Sequence, residues 1–463
     1  MASKEESSIA SYDLGVSSFI LLAIPLILFL ASDSLMHSVD NFLLARYSLL
    51  DWQAYNIIAD PFIKFLQVPL IRMATVAQIY VGQAFSAGEQ RRIGLFVWQM
   101  IWLSLFSTII VLPLGWKLWS FCLSGNPLEE PAQGFCHLMV AGNVLFPLGA
   151  ALSSFYIGRG RMTFVICAMV LTFAVNCLLD FLLIFGVGEL LPPMGLLGVG
   201  LAKLGAQAFF CLVLFCAFLK AKNRQVYGTN HWLFRLKPFL NCLKVSGSTA
   251  LYVGLISLSW LVVTKMVAWE NDNTLTTVVS FGGSCSSLWM FFNLGIGQVL
   301  SVRASQVIGS RDWTLMKQLL RSLMCISSCL LFIIALPLLC FPSLFLSFYF
   351  GSESFHALSI NLKQTLIFTC IAMWCFELIG AFDRTLRSLL SAAGDTTYIL
   401  AVYIVMIVLF NIIPMYFVLN VWNWPPYTFW YVMNAGILLR NLPLLLRYRQ
   451  KRWQTTPALV AVQ

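Results

Sequence analysis

Asp33, His37 and Asp40 stand at i, i+4 and i+7 in the first apolar segment of the chain, a spacing that places all three on one face of a helix. A charge near a bilayer centre costs on the order of 3 kcal/mol on insertion scales. Such residues turn toward a protein interior or a water-filled path and mark the route of an ion or solute, unless they lie at the helix's outer end in headgroup water. A second group, Asn176 and Asp180 at i, i+4, presents an amide and a carboxylate together. That pair suits a hard cation or a protonation site, and equally a helix-packing hydrogen bond. Asp40 offers a further carboxylate from another helix, and two carboxylates brought together share a proton readily.

The elements that hold these groups must be membrane helices. With 59% hydrophobic and 10% charged residues over 463 positions and a mean hydropathy of +0.83, the chain has too little polar surface to cover a water-soluble globule. Apolar runs long enough to cross the hydrocarbon core begin near Gly15, Trp52, Gly94, Cys136, Met162, Met194, Leu243, Thr274, Leu319, Leu362, Tyr398 and Tyr427, so about twelve spans are predicted. Their length and their Leu, Phe and Val content fit helices and not the short alternating strands of a barrel. The net charge of +10 does not point to nucleic acid, because the basic residues follow loop parity. Gly88 to Arg92, Gly158 to Arg161, Lys220 to Lys244, Arg311 to Arg321 and Arg447 to Arg452 are basic, whereas the intervening loops carry Glu129, Glu130, Glu189, Glu270, Asp272 and Glu353. The positive-inside rule then places both termini in the cytoplasm, which an even number of spans requires. The start, Met-Ala-Ser-Lys-Glu-Glu, lacks a basic n-region and a cleavage site, so the first apolar run reads as a retained span.

Thirteen cysteines fall mostly inside apolar runs, without Cys-x-x-Cys pairs or nearby histidines at ligand spacing, and read as core packing. Cys122 and Cys136, which bracket an outward loop, are the one candidate disulfide. The long polar segment after the sixth span divides the chain into residues 1–220, a linker 221–243, and residues 244–463. Local signals recur on its two sides: Gln83-Ala-Phe-Ser-Ala-Gly-Glu resembles Gln306-Val-Ile-Gly-Ser-Arg-Asp, and Gly160-Arg-Met-Thr-Phe resembles Gly394-Asp-Thr-Thr-Tyr, with Asn176 matched by Asn411. A repeat of six helices keeps its orientation, so the expected fold is all-α and integral to the membrane, with two parallel six-helix bundles around a cavity.

Pro25, Asp40, the turn Gln83 to Gly88, Asn176-Cys-Leu-Leu-Asp180-Phe-Leu-Leu-Ile-Phe-Gly186, Pro193-Met-Gly-Leu-Leu-Gly-Val-Gly-Leu-Ala202 and Ser391-Ala-Ala-Gly-Asp-Thr396 resemble the multidrug and toxic compound extrusion (MATE) transporters over nearly the whole chain. The motif on the fifth and sixth helices is the most specific part. The resemblance implies a V-shaped antiporter that exports small organic, often cationic, compounds by alternating access against inward H+ or Na+. In it, the acids matching Asp40 and Asp180, with Asn176, form the coupling site, and the proline matching Pro25 lets the first helix bend. It further implies a bacterial inner-membrane protein with a lipid bilayer, a solute and a coupling ion as partners, no cofactor beyond the transported ion, and a monomeric working form.

Lys203 departs from that pattern, since relatives that coordinate Na+ usually carry Thr or Ser there. Its ammonium could fill the sodium ion's charge slot by pairing with Asp40 or Asp180, which favours H+ over Na+; the other reading is a lysine that snorkels to an interface. In the second half Asn176-x-x-x-Asp180 reads Asn411-Ile-Ile-Pro-Met415, so that carboxylate is missing. Candidate charges there are Glu377, Asp383, Arg384 and Arg387 on the tenth span, with Asp383 and Arg387 at i, i+4 and Glu377 and Arg384 at i, i+7, and Lys265 on the seventh. Asp60 and Lys64 form an expected self-neutralising pair on the second span, near Arg72 and Gln78. No Gly-x-x-x-x-Gly-Lys-Ser/Thr loop is present, and the four histidines lack metal spacing, so neither an ATP-driven pump nor an enzyme is expected. The basic interior residues keep a lipid-linked sugar flippase of the same superfamily as the rival reading. A non-transporting receptor is disfavoured by the ionisable groups buried in both halves.

Overall fold

In the computed structural model the described residues are 34–450, apart from 87, 124–126, 189–190, 271, 311–312, 394 and 423. Pro25 and Asp33 lie outside them. The described chain is almost wholly helical. Helix α1 covers residues 34–47. The second crossing is built from α2 (Leu49–Ala54), one π turn (Tyr55–Ala59) and α3 (Asp60–Ala74), followed by α4 (Ala77–Ser86). Then come α5 (Ile93–Leu123), α6 (Glu129–Ala141), α7 (Leu145–Ile157), α8 (Met162–Phe185), α9 (Gly195–Phe218) and the linker helix α10 (Ala221–Tyr227). The second half holds α11 (Leu236–Trp269), α12 (Asn273–Ser310), α13 (Trp313–Ala335), α14 (Pro342–Phe350), α15 (Ser352–Ala357), α16 (Ile360–Ala392), α17 (Thr396–Ile407), α18 (Ile413–Tyr416) and α19 (Thr428–Arg449).

Among the described residues nine helices are long and apolar enough to cross a membrane, and α6 with α7, bent by 45°, makes a tenth crossing. At 38 residues α12 also exceeds the roughly 20 that a crossing needs. The first predicted span lies mostly outside the described residues. Large apolar side chains face outward, including Ile109 at 71% and Phe332 at 75% exposure, a surface that only a hydrocarbon solvent suits.

Helix geometry sets the position of the interior charges. Gly195 opens α9 at φ +51°, where a Cβ would stand 2.2 Å from Asp51 Oδ2; glycine alone fits that backbone and that approach. Asp51 Oδ2 accepts from the Leu196 amide at 3.0 Å, capping the helix that carries Lys203. The π turn adds one residue to the second crossing just where Tyr55 is buried, a device frequent at functional sites.

Three buried apolar clusters divide the molecule. One, at the end away from the linker, joins both halves and includes Leu44, Phe135, Phe281 and Trp430. The others lie toward the linker, one in each half, around Phe155 and Leu390. A polar seam adds to the joined end: Gln53 donates to Thr277 Oγ1 at 2.8 Å, Asn56 donates to Asn41 Oδ1 at 2.6 Å, and Ser284 donates to that same oxygen at 2.9 Å. The halves are therefore sealed together at the far end and have separate cores at the linker end. Cys136 is a free, buried thiol within α6, and the side chain of Cys122, its candidate disulfide partner, lies outside the described residues.

Candidate functional site

In the first half the ionisable side chains form one connected series. Lys203 Nζ lies 2.8 Å from Asp40 Oδ2, and the Asp40 side chain is fully buried. Lys203 also donates to the Tyr55 hydroxyl, with its ammonium 4.9 Å from that ring's centroid. Tyr55 donates to Asp40 Oδ2 at 3.4 Å and stands 2.7 Å from His37 Nδ1. His37 in turn lies 3.7 Å from Asp60, which pairs with Lys64 at 2.7 Å. Asn176 donates to Asp180 Oδ2 at 2.6 Å, and Asp180 lies close enough to Asp40 for the two carboxyls to interact electrostatically. The snorkelling reading of Lys203 is excluded, since its ammonium points to a fully buried carboxylate and not to an interface.

Charge bookkeeping identifies what this series lacks. Asp40, Asp60 and Asp180 face two ammonium groups, Lys64 and Lys203, with His37 able to be neutral. Among the described residues one carboxylate is in excess, in a medium where an uncompensated charge is costly. Asp40 Oδ1 and Asp180 Oδ1 are both buried and receive no hydrogen bond from any described residue. A single proton held between the two carboxyls would remove the excess charge and satisfy both oxygens.

The second half has its own cluster on α16, α17, α19 and α11. Glu377 pairs with Arg384 at 3.0 Å, as the i, i+7 spacing predicts. The expected pairing of Asp383 with Arg387 does not form. Asp383 instead accepts two contacts from the Tyr403 hydroxyl, at 2.8 and 3.0 Å, and one from Arg440 Nε at 3.2 Å. Donors on two neighbouring helices satisfy the buried carboxylate, and the long Arg387 side chain reaches α11, where it donates to the Tyr252 hydroxyl at 2.8 Å. Lys265 is not brought to this cluster. Thirteen positions separate it from Tyr252 on α11, about 20 Å along a helix, and its ammonium lies 4.4 Å from the Trp269 ring centroid. Arg72 and Gln78 are exposed and outside the first network.

Tyr55, Tyr252, Tyr403 and Arg440 belong to these clusters without having been singled out from the sequence. Arg440 had a usable signal, because it interrupts the last crossing of the second half much as Lys203 interrupts the last crossing of the first. The tyrosines had none, since a tyrosine in an apolar helix reads as packing.

A helical membrane protein built of two halves, each enclosing satisfied and unsatisfied charges between its helices, has the form of a secondary transporter. The sequence model of the MatE family matches residues 25–182 and 249–417, so the chain belongs to the MATE transporter family. It is 22% identical over 399 residues to the "Probable multidrug resistance protein NorM" of Bacillus cereus, covering 83% of this chain and 84% of that one. It is 25% identical over 229 residues to the protein of the same description from Pasteurella multocida, where the match spans 47% of each chain. Among solved structures, an inward-facing MATE family transporter of the MOP superfamily superposes with a TM-score of 0.76 at 16% identity, over 92% of this chain and 96% of that one. An outward-facing conformation gives 0.70 at 16% identity, over 96% and 98%. A MOP superfamily transporter from Pyrococcus furiosus gives 0.72 at 16% identity, over 96% and 97%. The likeness to these structures shows the V-shaped fold.

Proposed function

We propose that this chain is a proton-driven antiporter of a bacterial inner membrane, with both termini cytoplasmic, that exports small organic compounds. Asp40, Asn176, Asp180 and Lys203 form its coupling site, with His37 and Tyr55 beside them. The observation that carries this reading is the buried pair of carboxyls with one orphan oxygen each, set against a single ammonium. Lys203 also opposes sodium. At about 4 Å and an effective dielectric near 20, an ammonium repels a sodium ion by roughly 4 kcal/mol, about a thousandfold in affinity. A proton arrives as a neutralised carboxyl and meets no such repulsion. Once Asp40 is protonated its attraction for Lys203 is lost, and the freed ammonium can turn to Asp180, so proton binding is tied to a change of partners between α1, α8 and α9.

The test is efflux of a fluorescent organic dye from proteoliposomes. A pH gradient without Na+ should drive it, and a Na+ gradient at equal pH should not. Efflux that requires Na+ and ignores the pH gradient would overturn the proposal.

A further inference from the structure

The cluster of the second half has the opposite imbalance from that of the first. Arg384 is matched by Glu377 and Arg440 by Asp383. Arg387 has no carboxylate within ion-pairing distance among the described residues. Its hydrogen-bond partner is the neutral Tyr252 hydroxyl, and its guanidinium carbon lies 5.9 Å from the centroid of the Tyr403 ring. The Arg384 Nε donor is buried without an acceptor. Among the described residues three guanidinium groups thus face two carboxylates, and the surplus belongs to a partly exposed side chain that makes one side-chain hydrogen bond, to Tyr252, out of five N–H donors.

We propose that Arg387 is the anchor of an anion subsite that receives the carboxylate or phosphonate-like oxyanion of a small organic solute, an assignment that rests on the transport reading above. A guanidinium presents paired, planar donors that fit a two-oxygen anion side by side, and the anion compensates a cation that nothing else compensates. The partly exposed ring of Tyr252 stands next to it, backed edge to face by the buried ring of Tyr403 with centroids 5.2 Å apart, and offers an apolar surface to the organic part. Lys203 and Arg440 do not serve, because each is already held by a buried aspartate. The solute chosen by this half is therefore an organic anion and not the organic cation that a carboxylate-lined pocket would take.

The experiment measures binding to the purified full chain without any gradient, which separates it from coupling. Benzoate, benzamide and benzamidinium share shape and differ in charge, and they serve as probes by isothermal titration in nanodiscs of phosphatidylcholine. Benzoate should bind at least about tenfold more tightly than benzamide, the ratio that one charge-assisted hydrogen bond supplies, and benzamidinium should bind weakest. Arg387→Gln should bring benzoate to within about twofold of benzamide, and Arg387→Lys should retain part of the preference. Equal binding of benzoate and benzamide by the wild-type chain would overturn the subsite whether or not any variant folds, and so would an Arg387→Gln protein that keeps the preference. Loss of the benzoate preference when phosphatidylglycerol replaces half the phosphatidylcholine would assign the guanidinium to a lipid headgroup and overturn the solute assignment. A wild-type chain that shows the preference but ignores a pH gradient leaves the subsite standing and overturns only the coupling reading.

Discussion

The two halves of the molecule hold the same three-part arrangement and complete it with opposite charges. In the first half Asp40 lies between Lys203 on the last crossing and the hydroxyl of Tyr55. In the second, Asp383 lies between Arg440 on the last crossing and the hydroxyl of Tyr403. The fourth group differs: a second carboxyl, Asp180, stands beside Asp40, whereas a further guanidinium, Arg387, stands near Asp383. Among the described residues one cluster is a carboxylate in excess and the other a cation in excess. The lesson is that a duplicated scaffold fixes where a charged cluster sits, and one substitution per half then decides the sign of what it attracts.

The largest expected effect breaks the shared part. Removing one member of a buried ion pair strands the other, at a cost of roughly 3 to 5 kcal/mol, so Lys203→Met should lower the thermal unfolding temperature in detergent sharply. Arg440→Met should cost clearly less, because Arg387 is close enough to Asp383 to take over part of its compensation. Equal losses in the two variants would show that the halves are not charge-imbalanced in the sense described. Next comes the fourth group of the first half. Asp180→Asn deletes only the surplus charge, so folding should be unchanged to within about 1 kcal/mol while efflux driven by a pH gradient falls to background. Wild-type efflux from that variant would remove Asp180 from the coupling site.

A smaller effect is expected at the seam that closes the far end. Ser284→Ala deletes the hydrogen bond to Asn41 across the two halves, worth about 1 kcal/mol net, and should raise the fraction of molecules open at the far end several-fold. Spin labels on α2 and α12, read by pulsed resonance distances, would register that shift; unchanged distance populations would refute it. The smallest effect separates the two tyrosines. Tyr55→Phe removes the link between His37 and Asp40 and should slow pH-driven efflux a few-fold, whereas Tyr403→Phe should leave the response to the pH gradient intact. Equal slowing by both would mean that the hydroxyls act only in packing.

Much of this was legible in the sequence for physical reasons that can be named. Ionisable residues in apolar helices are few and expensive, so Asp40, Asp180, Lys203, Glu377, Asp383 and Arg384 could be picked out one by one. Pairs within a single helix were also readable, since helical spacing alone fixes them: Asp60 with Lys64, Asn176 with Asp180, Glu377 with Arg384. Pairs between helices were not. Whether Asp383 meets Arg387, four residues on, or Arg440, fifty-seven residues on, depends on how α16, α17 and α19 pack, and periodicity carries no information about that. Tyr55 was hidden because a tyrosine in an apolar helix reads as packing.

The segment between the halves is held by one of them. Trp98, Gln99 and Trp102 on α5 donate to the backbone carbonyls of Thr229, Leu233 and Trp232 at 2.9, 3.2 and 2.8 Å, and the Gln99 side chain takes back the Arg235 amide at 2.9 Å. Everything up to Arg235 is thus riveted to the first half, and no slack tether separates two independently swinging bodies. The next residue begins α11, which runs against α3 and α5 while its Tyr252 reaches into the second half. Any rocking of one half on the other must be absorbed along this single helix, by flexure or by sliding on α3. The hinge is therefore a membrane-embedded rod that already touches Arg387, so occupancy of the second half can alter the mechanical resistance to opening without any message passing through the connecting loop.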